Sequence, residues 1–467
     1  MDADIVILGA GAVAENVADR AVQGGLTAVL VESELVGGEC SYWACMPSKT
    51  LIRSGMALRA AQRVPGAAQA VTGQLDVAAV FARRNTMVHD WDDSSQVDWV
   101  RGAGIELVRG HARLTGEKTV AVTAADGEAT ELTARHAVVV ATGSDPLLPD
   151  IPGLRDAKPW TPREATSAKA APASLAIIGG GVVAVEMATA YASFGTRVTI
   201  LARSGLLRGQ EDIAAELVGA GLRELGVDIR TASPERVERT EDGVTLFVGD
   251  DAVVAEEVLV ATGRAPRTQD IGVETVGLTP GDWLEVDDTL LVAGTDWLYA
   301  VGDVNHRALL THQGKYQARA CGDVIAARAK GEPVDDAPWG RHVATADHRV
   351  VPQVTFSEPE VASVGLTSAA AEEAGYDVRV VDYDLSWVAG SSVQADGYTG
   401  TARMVVDEER RVLLGVTFVG QDVAELLQAA TIAVAGEVPI DRLWHAVPAY
   451  PTMSEIWLRL LESYGRG

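Results

Sequence analysis

The sequence predicts an α/β fold with two similar strand–loop–helix domains, because one pattern of residues occurs twice in the chain. In each copy a short apolar segment is followed by a glycine-rich loop and then by a stretch with helical spacing. The first copy is Ile5–Glu15 and the second is Leu175–Glu186. A buried strand that ends in such a loop before a helix is typical of Rossmann-like domains, so we expect two of them.

The first loop has the residues needed to hold a dinucleotide. It reads G-x-G-x-x-A, with Gly9 at the tight turn, Gly11 at the closest approach to a pyrophosphate, and Ala14 where the helix packs on the strand. The next apolar strand ends at Glu32, a carboxylate suited to bind a ribose hydroxyl. Together these features favour a bound dinucleotide over a glycine turn without a ligand.

The second loop predicts a second dinucleotide site. Gly179, Gly181 and Ala184 occupy the corresponding positions, and the strand that follows leads to Arg203, with Arg208 further along the same loop. A site for NAD usually has a carboxylate there, which would repel a ribose 2′-phosphate, whereas guanidinium groups pair with that phosphate. This site therefore favours NADPH over NADH, unless both arginines are simply solvated loop residues.

Two cysteines, Cys40 and Cys45, lie shortly after the first nucleotide loop and are separated by four residues. If these residues open a helix, its first turns bring the two Cβ atoms within the roughly 4 Å that a disulfide needs. With Cys321 as the only other cysteine, a scaffold of disulfides is excluded. A single redox-active pair in a reducing compartment is the simplest interpretation, and two unrelated buried thiols are the alternative.

Composition limits the partners of the protein. The chain has 39 basic and 65 acidic residues and a formal net charge of −26, which argues against nucleic acid or an anionic membrane as partner. The first residues have no basic region before the apolar strand, and no apolar run is long enough to span a bilayer. We therefore expect a cytoplasmic protein.

Taken together, these motifs resemble those of the flavoprotein disulfide reductases, which include dihydrolipoamide dehydrogenase, glutathione reductase and mercuric reductase. The resemblance covers nearly the whole chain and includes two Ala-Thr-Gly turns, which end at Gly143 and Gly263. It implies FAD in the first domain and NAD(P) in the second. It also implies that Gly38 and Ala112 lie at the FAD and that Asp303 holds the ribityl chain.

The resemblance also implies a domain organisation. The FAD domain would be split into residues 1–150 and 265–335, with the NAD(P) domain at 151–264 between them. Residues 336–467 would form a C-terminal α+β dimerisation domain. The protein would then be a homodimer whose active site is shared across the interface.

The same resemblance implies roles for individual residues. NAD(P)H would reduce the flavin, and the reduced flavin would open a disulfide between Cys40 and Cys45 before electrons pass to a disulfide or related small acceptor. Cys45 would lie beside the flavin, and Cys40 would be the interchange thiol that faces the substrate. Lys49 and Glu186 resemble the buried ion pair near the reactive edge of the flavin.

The chain departs from the family at the acid–base position. In most members this position is a histidine followed by Pro-Thr, with a glutamate five residues after it; here Tyr450 precedes Pro451, and Glu455 is present. A phenol, with a pKa of about 10, is a weaker base at neutral pH than an imidazole, with a pKa of about 6.5. We therefore expect slow dithiol–disulfide exchange. His445 is a candidate substitute after a loop rearrangement, and a structural histidine near the site is the alternative.

Tyrosine at this position is also found in mercuric reductase, so a quinone or a metal ion is a second candidate acceptor. The segment Leu461–Gly467 contains no cysteine pair that could transfer a metal, and we expect no resident metal site. A third hypothesis is a flavoprotein that binds nucleotides without catalysis. It is disfavoured because such a protein has no need for a thiol pair with an accompanying lysine and glutamate.

Four local patterns complete the prediction. Tyr42 and Trp43 stand where small or amide-bearing residues are usual, and they either shape access to Cys40 or pack against a neighbouring helix. Met87–Val100 is expected to belong to a long exposed helix pair. Strands are expected at Val120–Val122 and Leu132–Val140, and a helix at Ala424–Ala430.

Overall fold

The computed structural model describes residues 2–466. Up to residue 147 the strands are β1 (Asp2–Leu8), β2 (Ala28–Glu32), β3 (Glu106–Arg109), β4 (His111–Gly116), β5 (Thr119–Thr123), β6 (Ala129–Val140) and β7 (Ser144–Pro146). The helices of this part are α1 (Ala12–Gln23), α2 (Gly38–Tyr42), α3 (Cys45–Gln62), α4 (Ala67–Ala70), α5 (Val77–Met87) and α6 (Ser94–Gly102).

Between residues 148 and 262 the helices are α7 (Pro162–Ser167), α8 (Val182–Ser193) and α9 (Asp212–Glu224). The strands of this part are β8 (Ser174–Ile178), β9 (Arg197–Leu201), β10 (Asp228–Arg230), β11 (Arg236–Thr240), β12 (Gly243–Val248), β13 (Asp251–Ala255) and β14 (Glu257–Val260).

From residue 263 onward the strands are β15 (Arg264–Pro266), β16 (Leu298–Ala300), β17 (Gln353–Thr355), β18 (Glu360–Gly365), β19 (Val378–Asp384), β20 (Thr401–Asp407) and β21 (Val412–Gly420). The helices are α10 (Thr311–Lys330), α11 (Ser368–Glu373), α12 (Ala389–Gln394), α13 (Leu427–Ala435), α14 (Ile440–Leu443) and α15 (Ile456–Tyr464). Short 3₁₀ turns lie at His89–Trp91, Val273–Val276, Gly302–Asn305, Thr345–His348, Leu385–Trp387, Ala424–Leu426 and Met453–Glu455.

The chain divides into two compact units. The first contains the residues up to Pro47 together with Asn85–Leu147 and Gly263–His348. The second contains Ser48–Arg84, Leu148–Thr262 and the residues from Arg349 onward. The boundaries of the predicted domains differ from this division and stay a prediction.

The first unit is built on one mixed sheet with the strand order β3-β2-β1-β6-β5-β4. Strands β1, β2, β3, β6 and β16 run parallel, whereas β4 and β5 are antiparallel. Strand β6 is long enough to pair with β5 through its first residues and with β16 through its last ones. Helices α1 and α10 bury their apolar faces together in the core that also contains Ile5, Ile7 and Val139.

The second unit contains three further sheets. One is the parallel sheet β10-β9-β8-β14, one is the antiparallel meander β11-β12-β13, and one is the antiparallel sheet β17-β18-β21-β20-β19. Helix α8 lies between strands β8 and β9 along the chain and is buried along most of its length, from Ala184 to Tyr191. The predicted α/β class, with two glycine loops and a C-terminal α+β part, is confirmed.

Most local predictions agree with these elements, and one needs correction. The expected strands lie within β5 and β6, and Ala424–Ala430 spans a 3₁₀ turn and the start of α13. The long helix pair expected at Met87–Val100 is instead two short helices, because α5 ends at Met87, a turn with left-handed backbone follows at His89–Trp91, and α6 has only 9 residues. The Asp92 carboxylate then accepts the N–H of Ser94, where α6 begins. No helix within residues 2–466 is long and apolar enough to cross a membrane.

A buried arginine is expected to contribute strongly to the stability of the second unit. Arg84 is 1% exposed, and its guanidinium donates to the carbonyls of Thr166 and Ala168. Arg84→Met leaves both carbonyls without this donor, so the free energy of unfolding should fall by about 2–4 kcal/mol. Thermal unfolding measures the effect, with the exposed neighbour variant Arg83→Met as the control. Equal unfolding midpoints for the two variants would contradict the assignment.

Candidate functional site

The first glycine loop leaves open space at the start of α1. Gly9 has a φ of +100°, and a Cβ there would lie 2.7 Å from the carbonyl oxygen of Ala141. Gly11 caps α1, and a Cβ built on it would meet nothing within 4 Å. Ala14 is fully buried where the helix packs on the sheet. The loop therefore exposes backbone N–H groups and a helix N-terminus to a space that can accept a pyrophosphate.

Glu32 lies at the end of β2, as expected for a residue that binds a ribose. One carboxylate oxygen accepts the N–H of Ala10 at 2.7 Å, and the other accepts the N–H of Glu34 at 2.8 Å. These bonds hold the carboxylate beside the glycine loop. Each oxygen keeps a second lone pair for a hydroxyl donor.

Asp303 is held rigidly on a 3₁₀ turn in the first unit. Its carboxylate accepts a hydrogen bond from the Ser144 hydroxyl at 2.6 Å and lies 3.5 Å from the Arg264 guanidinium. The turn itself is fixed by Gln317, whose side-chain oxygen accepts the N–H of Gly302 at 2.8 Å. Gly143, just before Ser144, has a φ of +76°. A carboxylate with such fixed neighbours is suited to bind sugar-chain hydroxyls.

The last predicted FAD neighbour in this unit is Ala112. It lies on β4, is 7% exposed and pairs with Val122 of β5. The glycine loop with room for a pyrophosphate, the terminal Glu32 and the fixed Asp303 together fit the phosphate and hydroxyl groups of FAD.

The segment before the cysteines is in backbone contact with this loop. Gly37 donates its N–H to the carbonyl of Ala10 at 2.8 Å. A Cβ on Gly38 would lie 3.0 Å from the Cα of Gly11, and both Gly37 and Gly38 have positive φ. Only glycine can combine a positive φ with such a close approach of two backbones. The residues that lead into Cys40 are therefore packed directly against the nucleotide loop.

Cys40 and Cys45 lie together, although not on one helix. Cys40 is in the short helix α2, the chain turns at Trp43 and Ala44, and Cys45 is the first residue of α3. A hydrogen bond with the Cys45 sulfur, followed by burial, raises the pKa of the Cys40 thiol. The Cys45 sulfur also lies 3.5 Å from the hydroxyl of Thr311. Both thiols are partly exposed, whereas Cys321 is fully buried.

The two aromatic residues between the cysteines differ in environment. Tyr42 is fully buried, and its hydroxyl donates to Gln96 of α6 at 2.8 Å. Burial raises the pKa of Tyr42 to about 12. Tyr42 therefore packs against a neighbouring helix, which corrects the hypothesis that it shapes access to Cys40. Trp43 is half-buried, with its ring 5.7 Å from that of Tyr42.

The second glycine loop repeats the geometry of the first. Gly179 has a φ of +124°, and a Cβ there would lie 2.1 Å from the carbonyl oxygen of Ala261. Gly181 caps α8 with nothing within 4 Å of its Cβ position, and Ala184 is fully buried. Gly263 has a φ of +146°. The second unit thus also presents a helix N-terminus suited to a pyrophosphate.

The loop that carries the two predicted arginines borders this second glycine loop. Leu207 donates its N–H to the carbonyl of Gly180 at 2.8 Å, and a Cβ on Gly180 would lie 2.2 Å from the carbonyl oxygen of Gly205. Arg203 and Arg208 are exposed, and neither side chain makes a hydrogen bond or ion pair with the residues the structure describes. Both guanidinium groups are available to an anionic ligand.

Lys49 and Glu186, predicted as an ion pair, are in contact in the second unit. The Lys49 ammonium lies 2.7 Å from one oxygen of Glu186, and the other oxygen accepts the N–H of Phe356 at 3.1 Å. Glu186 is 3% exposed. The ammonium also lies 5.1 Å from the centre of the Phe356 ring. The pair is therefore an oriented cation next to a buried carboxylate.

The acid–base segment differs from the family's arrangement. Tyr450 is 75% exposed, and its hydroxyl makes no hydrogen bond within the described part of the chain. Glu455 is 4% exposed and forms an ion pair with Arg459, one helical turn later, at 2.5 Å. No hydrogen bond therefore joins Tyr450 and Glu455, both of which the structure describes. The His445 side chain is exposed.

Three residues around the thiols were missed by sequence reasoning. Thr311 and Lys315 lie on the first turns of α10, and Glu39 forms an ion pair with Arg267 at 3.0 Å. Thr311 and Lys315 belong to no recognisable motif, and their separation in sequence from Cys45 gives no signal, whereas Glu39 directly precedes Cys40 and could have been noticed from that position. Among residues 2–466, no group of three or more His, Cys, Asp or Glu side chains is arranged to hold a metal ion.

Comparison with known proteins identifies relatives over nearly the whole chain. Residues 3–325 match the pyridine nucleotide-disulphide oxidoreductase family, and residues 351–460 match the dimerisation domain of that family. The chain is 32% identical to mercuric reductase from Staphylococcus aureus, over 97% of this chain and 81% of that protein. It is 30% identical to dihydrolipoyl dehydrogenase from Halobacterium salinarum, over 98% of this chain and 95% of that protein.

A solved structure has the same fold. The HOCl-induced flavoprotein disulfide reductase RclA from Escherichia coli superposes with a TM-score of 0.83 and 25% sequence identity. The superposition covers 98% of this chain and 99% of that chain.

Substitutions of Lys49 and Glu186 are expected to have non-additive effects on the free energy of unfolding. Lys49→Met leaves a buried carboxylate without its cation and should lower the free energy of unfolding by about 1–3 kcal/mol. Adding Glu186→Gln should restore part of that loss, because the amide carries no charge. Thermal unfolding of the wild type, both single variants and the double variant measures the coupling. The exposed Lys169→Met is the matched control, and additive effects of the two substitutions would refute the coupling.

Proposed function

Because the chain belongs to the pyridine nucleotide-disulphide oxidoreductases, which use FAD and NAD(P)H, we propose that Cys40 and Cys45 are its redox-active pair. The chain is an oxidoreductase of this family. The observation that carries the proposal is the place of the two thiols in the first unit: the Cys45 sulfur lies 3.5 Å from the Thr311 hydroxyl, and Gly38, two residues before Cys40, is in backbone contact with Gly11 of the glycine loop. The acceptor that we propose is a small disulfide.

Bound FAD supplies two-electron transfer between NAD(P)H and the thiol pair. The protein residues then perform thiol exchange. The Cys40 thiolate attacks one sulfur of the acceptor, forms a mixed disulfide and releases the first acceptor thiolate. Cys45, as a thiolate after it has lost its proton to water, attacks the Cys40 sulfur, restores the protein disulfide and releases the second acceptor thiolate. Two electrons thus reach the acceptor, and the two released thiolates take up protons from water.

The remaining predicted site residues receive supporting roles in this proposal. Gly9, Gly11 and Glu32 bind the phosphates and ribose of FAD, and Asp303 binds its ribityl chain. Lys49, oriented by Glu186, supplies a positive charge for the anionic reduced flavin. The C-terminal dimerisation domain supports a homodimer with a shared active site, in which Tyr450 takes the position of the family's acid–base histidine.

A second candidate acceptor is a quinone or a metal ion. The observation that favours it is Tyr450, since such acceptors do not require an imidazole to protonate a leaving thiolate. The similarity to mercuric reductase supports the metal ion, and the similarity to dihydrolipoyl dehydrogenase supports the disulfide. The cytoplasmic location stays a prediction.

An anaerobic titration with NADPH tests the role of the thiol pair. Wild-type protein should take up two electrons, with a long-wavelength thiolate-to-flavin band, before the flavin absorbance bleaches. Cys40→Ser should lack this two-electron stage, because the disulfide cannot form. Cys321→Ser is the matched control, since this fully buried thiol is outside the site.

The same titration separates the two classes of acceptor. If wild type and Cys40→Ser bleach with the same stoichiometry, the thiols are not in the electron path. Turnover with a quinone that survives Cys40→Ser would then identify the flavin as the direct donor and contradict the disulfide proposal.

Arg203 and Arg208 are expected to select NADPH. Replacing both with alanine removes two guanidinium groups that can pair with the 2′-phosphate, so the KM for NADPH should rise about tenfold to a hundredfold. The KM for NADH should change little, because NADH lacks that phosphate. Steady-state kinetics with both nucleotides measure the change, and Arg155→Ala, an exposed arginine of the same unit, is the control. An equal change for both nucleotides would exclude phosphate recognition.

A further inference from the structure

The thiol pair lies against the first turn of α10. The Thr311 hydroxyl is 3.5 Å from the Cys45 sulfur and also hydrogen-bonds the Cys40 side chain. Lys315 follows four residues later, and residues four apart lie on the same face of a helix. The face of α10 that meets the thiols therefore carries an ammonium group one turn beyond Thr311.

The start of α10 also packs closely on the start of α1. A Cβ on Gly314 would lie 2.6 Å from a methyl carbon of Val13 and 3.2 Å from the Cα of Gly302. The starts of the two helices that carry Lys315 and Glu15 are therefore in contact. The Lys315 charge acts on the Glu15 carboxylate and on Cys40, so it relates the carboxylate to the thiols within the first unit.

Neither Lys315 nor Glu15 forms a close ion pair in the described part of the chain. Lys315 makes no side-chain hydrogen bond or ion pair with any residue in the described range, 2–466. One carboxylate oxygen of Glu15 is buried without a hydrogen-bond donor. Burial raises the pKa of Glu15 to about 7, an effect that Glu32 increases and Lys315 opposes. The Lys315 charge likewise lowers the pKa of Cys40 against the larger effects of Cys45 and burial.

We propose that Lys315 is a positioning residue for the interchange thiol, whose ammonium stabilises the Cys40 thiolate, and that the Glu15 carboxylate weakens this effect. Ionisation of Cys40 releases its proton to bulk water. The proposal rests on the assignment of Cys40 and Cys45 as the redox pair. It describes a cation, carried by the chain itself, that assists thiol exchange where the family's histidine is replaced by Tyr450.

The direction in which the effect of Lys315 on Cys40 changes with pH follows from the charge of Glu15. Below pH 7 Glu15 is mostly neutral, so Lys315 acts on Cys40 without opposition. Above pH 7 the Glu15 carboxylate offsets part of the Lys315 charge.

The charged or titratable groups on the surrounding elements are Cys45 on α3, Tyr42 on α2, Glu32 on β2, His312 on α10, and Asp92, Asp93 and Arg109, which act on Tyr42.

Alkylation kinetics of the reduced holoenzyme test the proposal. The purified protein is reduced with a phosphine, pulsed with iodoacetamide between pH 6 and 9, and digested, so that mass spectrometry reports the rate at Cys40 and at Cys45 separately. Lys315→Met should lower the rate at Cys40 about threefold to tenfold at pH 7.5, because less thiolate is present. Lys315→Arg should keep a rate close to that of the wild type.

Glu15→Gln provides an independent arm with the opposite sign. At pH 8, where Glu15 is ionised in the wild type, the variant should react about twofold to threefold faster at Cys40. At pH 6 the two proteins should react at the same rate. Lys330→Met is the matched control, because it removes the same charge from the same helix about 22 Å away.

Several outcomes would overturn the proposal. They are an unchanged rate in Lys315→Met at every pH, an equal loss in Lys315→Met and Lys315→Arg, an equal loss in Lys330→Met, or a slower reaction in Glu15→Gln. Cys321 reports on folding, since this fully buried thiol stays unmodified in the folded protein. If Lys315→Met unfolds, Lys315→Gln replaces it.

Failure here is distinguishable from failure of the proposed function. The alkylation experiment uses no NADPH, and it measures thiol ionisation whether or not electrons reach the thiols. The NADPH titration of Cys40→Ser measures electron flow and is independent of Lys315.

Discussion

The contact between two glycine segments is the constraint on which the first unit depends. Gly37 donates its N–H to Ala10, and the Cα of Gly11 leaves no room for a side chain at Gly38. Both segments reverse direction with backbone conformations that other residues rarely adopt. The nucleotide loop and the helix that carries Cys40 are thereby joined through the backbone, so a bound dinucleotide and the thiols occupy neighbouring positions without a connecting side chain.

Around this contact, helices contribute their N-terminal ends. Helix α1 starts at the glycine loop and α10 starts at the thiols, and the two helices pack closely at Val13 and Gly314. An N-terminus favours negative charge, which suits a pyrophosphate at one helix and a thiolate at the other. Lys315 adds a full positive charge to this region, whereas Glu15 subtracts from it.

The second unit has a glycine loop with the same local geometry as the first. Its glycine loop repeats the steric constraint of the first, with Gly179 against Ala261 in the way that Gly9 lies against Ala141. What differs is the residue that follows the next strand, Arg203 in place of a carboxylate. The same backbone geometry therefore suits a dinucleotide in each unit. Lys49 and Glu186 add an ion pair whose carboxylate is almost completely buried. The second oxygen of this carboxylate accepts the N–H of Phe356, so both of its oxygens have a partner.

By itself the sequence determined the α/β class, the family and both glycine loops, and it predicted the thiol pair. These features depend on residues close together in the chain, where spacing dictates turns, helix starts and steric room, and Lys49 and Glu186 were found because each lies in such a motif. Only the tertiary structure decided which groups lie near the thiols, because Thr311 and Lys315 belong to α10, which is far from both cysteines in sequence. It also decided that Tyr42 packs against α6 and that Glu455 pairs with Arg459 and not with Tyr450. Burial and long-range charge belong to the folded chain, and a local pattern of residues does not contain them.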